Sequence, residues 1–326
     1  MIRQISLLWM LFILFATSGM AQAKRTTLSV EVLDFKGDMI YFDCAQTPLI
    51  REEFHANPGE SYVYSFETDQ IVNMFINGQT QVLLLPGDSL HAVLRYEEKP
   101  VQSAEFSGTP QAVLQNQLYW NVELLKRSMR YKSQLLSCAA LDIKPKDRIA
   151  DSRTLLEKVK MMIEVAGKDL PESAANYILS TTEAEAYTSM MEYPVMYADI
   201  RKLPVEKQEI GEYWSLMDGY VTRNDNASLR NPKYASMLMR YCFYENEKKA
   251  HAEGKTYQNP RTFEAMYQEL ASFYAGEQRD FLLYTIICNF IRNGKEIERV
   301  DSILKGYKSK YNKNKEYIQI LDSLLQ

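Results

Sequence analysis

Gly87-Asp88-Ser89-Leu90 is the part of this chain that looks most like catalytic machinery, because serine hydrolases carry this order around the serine that attacks an ester. Such a serine needs a histidine base oriented by a carboxylate, and oxyanion donors from separate loops. Asp88-Ser89-Leu90-His91 does spell the Asp-x-x-His order of a base pair, but it overlaps the serine itself. A histidine two residues along the same strand cannot reach round to activate that serine in the usual geometry. His55 and His251, the remaining histidines, stand in no recognisable context. Pro86-Gly87 has the residues of the central positions of a type II turn, where glycine supplies the positive φ. Apolar runs at 83–85 and 91–96 flank it as strands. Pro86, Gly87, Asp88 and Ser89 are therefore read as a hairpin turn, with the Asp88 and Ser89 side chains bonding the turn's own backbone.

The other reactive types are scattered. Glu247 and His251 lie one helical turn apart, but their surroundings (ENEKKAHAEG) read as a solvated face. Glu183, Glu185 and Glu192 invite a paired-carboxylate reading, and Glu185 and Glu192 share a helical face. No Glu-x-x-His partner completes a two-metal set, so these are read as surface acids. Cys44, Cys138, Cys242 and Cys288 form no Cys-x-x-Cys, and their spacing suits neither zinc nor a redox pair. Cys242 and Cys288 fall in apolar helical stretches, where cysteine serves as a small buried hydrophobe. Buried thiols are thus favoured over the three disulfide pairings that four cysteines allow. No glycine-rich phosphate loop is present, and no cofactor is implied. The segment 305–315 (KGYKSKYNKNK) interleaves tyrosine with lysine, a pattern able to bind single-stranded nucleic acid, but reads here as a solvated linker between helices.

The bulk properties agree with a globular chain lacking a concentrated charge. Of 326 residues, 46% are hydrophobic and 25% charged, and the net charge is −4. Nucleic-acid binding needs a basic face to displace counterions, and none is concentrated here. Tyrosine is abundant (22) and glycine scarce (13), which suits packed helices better than a loop-built active site. The first 23 residues read as a signal peptide: Arg3, an apolar core at 7–16 (LLWMLFILFA), then Ala21-Gln22-Ala23 before Lys24. That core is shorter than the roughly 20 residues a membrane span requires. No cysteine lies near the cleavage point to carry lipid. The mature protein is expected to be exported and soluble, with no integral membrane segment.

The elements that must position these residues change period once. From 24 to 108 the pattern is that of about seven short strands. In 26–35, Leu28, Val30 and Val32 face inward, with Leu33 a further candidate. Residues 48–60, holding Pro48, Pro58 and Gly59, read as a loop. Asn77-Gly78 signals a type I′ hairpin. From 109 to 326 the spacing is helical. One helix runs through 112–136 with Leu114, Leu118, Val122 and Leu125 as its apolar stripe. A second spans 147–170 with Leu155, Leu156, Val159, Met162 and Ile163, and Asp169 caps the next. Helices are further expected at 172–192, 205–222, 232–252, 260–275, 278–293, 296–310 and 314–325, with Asn231-Pro232 and Asn259-Pro260 as like caps. The fold class is α+β: an N-terminal antiparallel β-sandwich (24–108) followed by an all-α helical domain (109–326).

Leu83–Leu90 with its proline-glycine hairpin, Phe106-Ser107-Gly108 and the helix opening just after them together resemble the N-terminal half of exported thiol-disulfide proteins of Gram-negative bacteria. In those TlpA- and ResA-type proteins this half precedes a thioredoxin-like domain, and 317–325 (YIQILDSLL) is similar to the helix leading into it. The resemblance implies a periplasmic compartment. It transfers no catalytic residue, because a Cys-x-x-Cys is missing and disulfide exchange needs a low-pKa thiolate with a resolving partner. The chain is therefore expected to be a non-enzymatic binding or scaffolding protein, serving a thioredoxin-like partner in trans or another protein partner. The alternative is an enzyme with an unrecognised site. Tyr177, Tyr187, Tyr193 and Tyr197, the densest tyrosine cluster, are a candidate partner surface, with core packing as the plainer account.

Overall fold

The computed structural model describes residues 23–44, 51–57, 59–97, 101–294, 299–312 and 314–325. Residues 1–22 of the leader expected at 1–23, Pro48, Pro58 and the start of the helix expected at 296 lie outside the described residues. Eight strands come first in the chain: β1 (Lys24–Leu33), β2 (Met39–Cys44), β3 (Arg51–His55), β4 (Ser61–Thr68), β5 (Val72–Ile76), β6 (Thr80–Leu84), β7 (Ser89–Tyr96) and β8 (Val101–Gly108). They form two four-stranded sheets, ordered β4-β1-β7-β8 and β3-β2-β5-β6.

Alternation sets which side chains are buried. In β1, Thr26, Leu28, Val30 and Val32 are buried, while Leu33, of the other parity, is half-buried. Leu28, Val30 and Leu94 from one sheet join Phe42, Met74 and Val82 from the other in a single apolar cluster. Two features depart from the sequence reading. The pairing of β1 with β7 is parallel, with β2 to β6 built between them in the chain. β3 lies inside the stretch expected to loop. Its charged sequence REEFH hides a strand anchored on β2 through Phe54. Asn77 (φ 51°) and Gly78 (φ 64°) turn the chain between β5 and β6, the positive pair that type I′ geometry demands.

Helices fill the rest: α1 (Pro110–Ser128), α2 (Leu135–Ala140), α3 (Pro145–Ala166), α4 (Glu172–Arg201), α5 (Pro232–Ala252), α6 (Phe263–Phe273), α7 (Gly276–Asn293), α8 (Val300–Gly306) and α9 (Lys315–Leu324). The molecule is thus α+β, strands preceding helices. Among the described residues no helix is long and apolar enough to cross a membrane. Asn231 caps α5 by accepting from the Lys233 N–H, as expected, but Asn259 caps nothing. Thr262 caps α6 instead. Asp169 sits in a 3-10 turn, and α4 begins behind Pro171 without a side-chain cap.

No α-helix spans 205–222. Glu185 pairs with Lys233, and Glu192 with Arg240, so equal steps along α4 and α5 meet and the two helices run in the same direction. The intervening residues must carry the chain back along α4. They do so through 3-10 turns at Val205–Lys207, Tyr213–Ser215 and Ser228–Arg230. Gly211 (φ 77°) and Gly219 (φ 78°) break the helical path. This return segment also serves α4 near Pro194, whose ring removes a ladder donor. Tyr213 donates to the Met191 carbonyl (2.5 Å) and Gln208 to the Pro194 carbonyl (2.8 Å).

Candidate functional site

The supposed nucleophile lies at the joint between sheets and helices. Pro86 and Gly87 (φ 89°) turn the chain, with the Asp88 N–H donating to the Leu85 carbonyl at 3.0 Å. Asp88 bonds its own turn, accepting from the Leu85 N–H at 2.7 Å. It also accepts from Gln115 Nε2 of α1 at 2.7 Å. Burial raises its pKa, and these hydrogen bonds oppose that rise. Ser89 is exposed on β7, and the Thr109 N–H donates to its carbonyl. His91 turns to Ser29 of β1, Nδ1 to Oγ at 3.0 Å. A Cβ on Gly108 would lie 2.0 Å from the Ser89 carbonyl oxygen. The two motifs 86–89 and 106–108 are therefore one packed unit.

Asn116 completes the joint. β6 is an edge strand, and its Leu83 lacks a neighbouring strand on one side. The Asn116 side chain takes that place, accepting from the Leu83 N–H (2.8 Å) and donating to its carbonyl (2.7 Å). The sequence pattern gave no sign of this buried pair of amides, Gln115 and Asn116.

The tyrosine cluster faces inward. Tyr177, Tyr193 and Tyr197 are buried, and Tyr187 is half-buried against Tyr220. Three of the four are thus packed inside the helices, and Tyr187 alone keeps partial exposure. Tyr193 donates to the Ile143 carbonyl (2.7 Å) and Tyr197 to Asp142 (2.8 Å), clasping the segment that carries α2. All four cysteines are buried and form no disulfide. Burial pushes the Cys242 thiol up to about 12. Among the described residues no three side chains form a metal-binding group. Glu247 meets Arg240, and His251 lies against Trp214. Within the expected linker, residues 305–311 are helical. Tyr307 is buried and donates to the Asp280 carbonyl at 2.9 Å.

Of the three acids expected at the surface, Glu183 and Glu185 are buried, while Glu192 stays 39% exposed beside Arg240. Glu185, its side chain 7% exposed, lies between Lys126 of α1 (3.0 Å) and Lys233 of α5 (2.7 Å). Burial works to raise this carboxyl, but the charges and hydrogen bonds of Lys233 and Lys126 outweigh it and bring it to about 2. Glu183 meets Arg223 at 3.5 Å, and burial nonetheless raises its carboxyl. Close by, Arg148 is 1% exposed, stacked 3.6 Å over the Tyr131 ring and bonded to Ser189. These partners lie far apart in sequence, so helical spacing alone does not bring them together.

Two cavities adjoin α1. One, of about 660 Å³, lies at its C-terminal end and is lined by charged residues. The other, of about 810 Å³, is a groove between α1 and α3, walled by Leu114, Leu118, Leu125, Met161, Met162 and Val165. Leu118 is buried, but Leu114, Leu125 and Met162 are half-covered, Met161 is 55% exposed and Val165 is 88% exposed. Lys158 and Asp169 border this groove. Comparison with models of known protein families found no match, and no characterised protein or solved structure matches the chain significantly.

Proposed function

We propose that this protein is an exported, non-enzymatic binding protein of the periplasm. In this reading its two sheets form a β-sandwich that serves as a platform, followed by an all-α domain that binds. The partner is a second exported protein, of the thioredoxin-like class suggested by the sequence resemblance. It docks an amphipathic helix in the groove between α1 and α3.

One observation carries this reading. Leu114 and Leu125 on α1, with Met162 on α3, are patterned for burial, yet their outer edge is left open beside Met161 and Val165. An apolar face of this size, rimmed by polar residues, marks a binding site more often than a monomer's bare surface. Two packed helices with a furrow between them receive a third helix through its i, i+3, i+4 apolar positions. Methionine suits such a surface because its flexible thioether adapts to the incoming side chains. Lys158 and Asp169 set the orientation, calling for an acid and a base at opposite ends of the incoming helix.

A photo-reactive residue placed at Val165 tests this in cells, with Val221, 80% exposed and remote in sequence, as the control. One discrete adduct from Val165, absent from Val221 and lost when Met161 is replaced by glutamate, is the expected result. Identical adducts from both positions, or turnover of disulfide or ester substrates by the purified protein, would overturn the reading.

A further inference from the structure

The recess at the C-terminal end of α1 has the opposite character to the groove. Its wall carries Lys126, Arg127, Arg130 and Lys132 against one carboxylate, Glu123, with Ser133 and an apolar lip of Leu141 and Ile143. Lys126 is already engaged, by Glu123 at 2.6 Å and by Glu185. Arg127 donates to the Val101 carbonyl and lies over Trp120. Among the described residues, Arg127, Arg130 and Lys132 have no carboxylate in ion-pairing contact, and Arg130 and Lys132 are exposed. Helix C-termini favour cations, which accounts for Lys126 and Arg127 inside α1. It does not account for Arg130, which sits just past the helix at φ 53°, a left-handed position that glycine fills at no steric cost. Arg148, stacked on Tyr131 and likewise without a carboxylate partner, adds a further positive charge close by.

We propose that this recess binds a phosphate-bearing ligand, its phosphate held by Arg130, Lys132 and Arg127, and its organic part resting on Leu141 and Ile143. Phosphate supplies up to two charges and several acceptor oxygens, so it can answer three cations where one carboxylate cannot. The cavity, at about 660 Å³, is within the range of small-molecule sites. The same chemistry comes from a soluble phosphoester or from a phospholipid headgroup, and the test separates them.

Binding is measured by calorimetry with inorganic phosphate and glycerol 3-phosphate. Co-sedimentation with phosphatidylglycerol vesicles, against phosphatidylcholine vesicles, completes the set. Saturable binding weakened by salt is expected, with Arg130→Gly and Lys132→Ala each costing roughly tenfold, about 1.4 kcal/mol. Lys255→Ala, on the exposed end of α5's following turn, changes nothing. Arg130→Gly also relieves the left-handed strain, so its melting temperature stays level or rises, which separates lost binding from lost folding. Binding to the soluble probes assigns a phosphoester, and binding to the anionic vesicles alone assigns a headgroup. Absence of saturable binding to all of the anionic probes, or binding untouched by both substitutions, overturns the proposal.

Discussion

Replacing Glu185 with glutamine removes the one negative charge between Lys126 and Lys233. The displacement of the carboxyl from 4.5 to about 2 corresponds to roughly 3 kcal/mol at about 1.36 kcal/mol per pH unit. Removing one partner of a buried ion pair costs about 3–5 kcal/mol, and here Lys233 loses its counter-charge while Lys126 keeps Glu123 at 2.6 Å, which places the expected loss at the lower end of that range. The sign follows from the depressed folded-state value. Glu185 contributes its full stability above the unfolded pKa near 4.5, and that contribution disappears as pH falls through about 2. Burial raises Glu183 and Asp88, so those groups contribute in the opposite sense, favouring the fold at low pH. Wild type and variant must therefore be compared at each pH. Urea denaturation at pH 7 should show Glu185→Gln less stable by about 3 kcal/mol, and the gap should close between pH 5 and pH 2. A loss below about 1 kcal/mol at pH 7, or a gap that persists unchanged at pH 2, would refute the buried-triad account.

Three further outcomes test the joint between sheets and helices. Asn116→Ala leaves the Leu83 N–H without a partner, while the Leu83 carbonyl keeps Gln115 Nε2 at 2.8 Å, and should cost about 1–3 kcal/mol in chemical denaturation. Gly108→Ala brings a methyl carbon to 2.0 Å from a backbone oxygen at φ 136° and should leave little folded protein, read by circular dichroism and yield. Ser89→Ala, by contrast, changes an exposed side chain and should stay within about 0.5 kcal/mol of wild type. The wild-type serine should also fail to label with a fluorophosphonate.

Local periodicity carried much of the fold. Leu28, Val30 and Val32 alternate into the core as their spacing dictates, and Asn77-Gly78 turns where positive φ was required. Pro86-Gly87 was legible as a turn for the same reason: its geometry depends on two adjacent residues. What failed depended on distant partners. REEFH is a strand because Phe54 finds β2, and 205–222 is no α-helix because α4 and α5 run in the same direction. Glu185 reads as a surface acid until Lys126, on α1, and Lys233, on α5, close around it. The groove was half legible. Leu114 and Leu125 belong to the apolar stripe that helical spacing defines, but only the packing shows that their outer edge stays open beside Met161 and Val165.

Binding at that groove without chemistry is the central claim, and titration calorimetry with the partner captured at Val165 tests it most directly. Wild-type protein should bind saturably, and Val165→Glu should weaken the affinity by more than about tenfold, since a charge would enter an apolar contact. Equal affinity for both proteins would contradict the account.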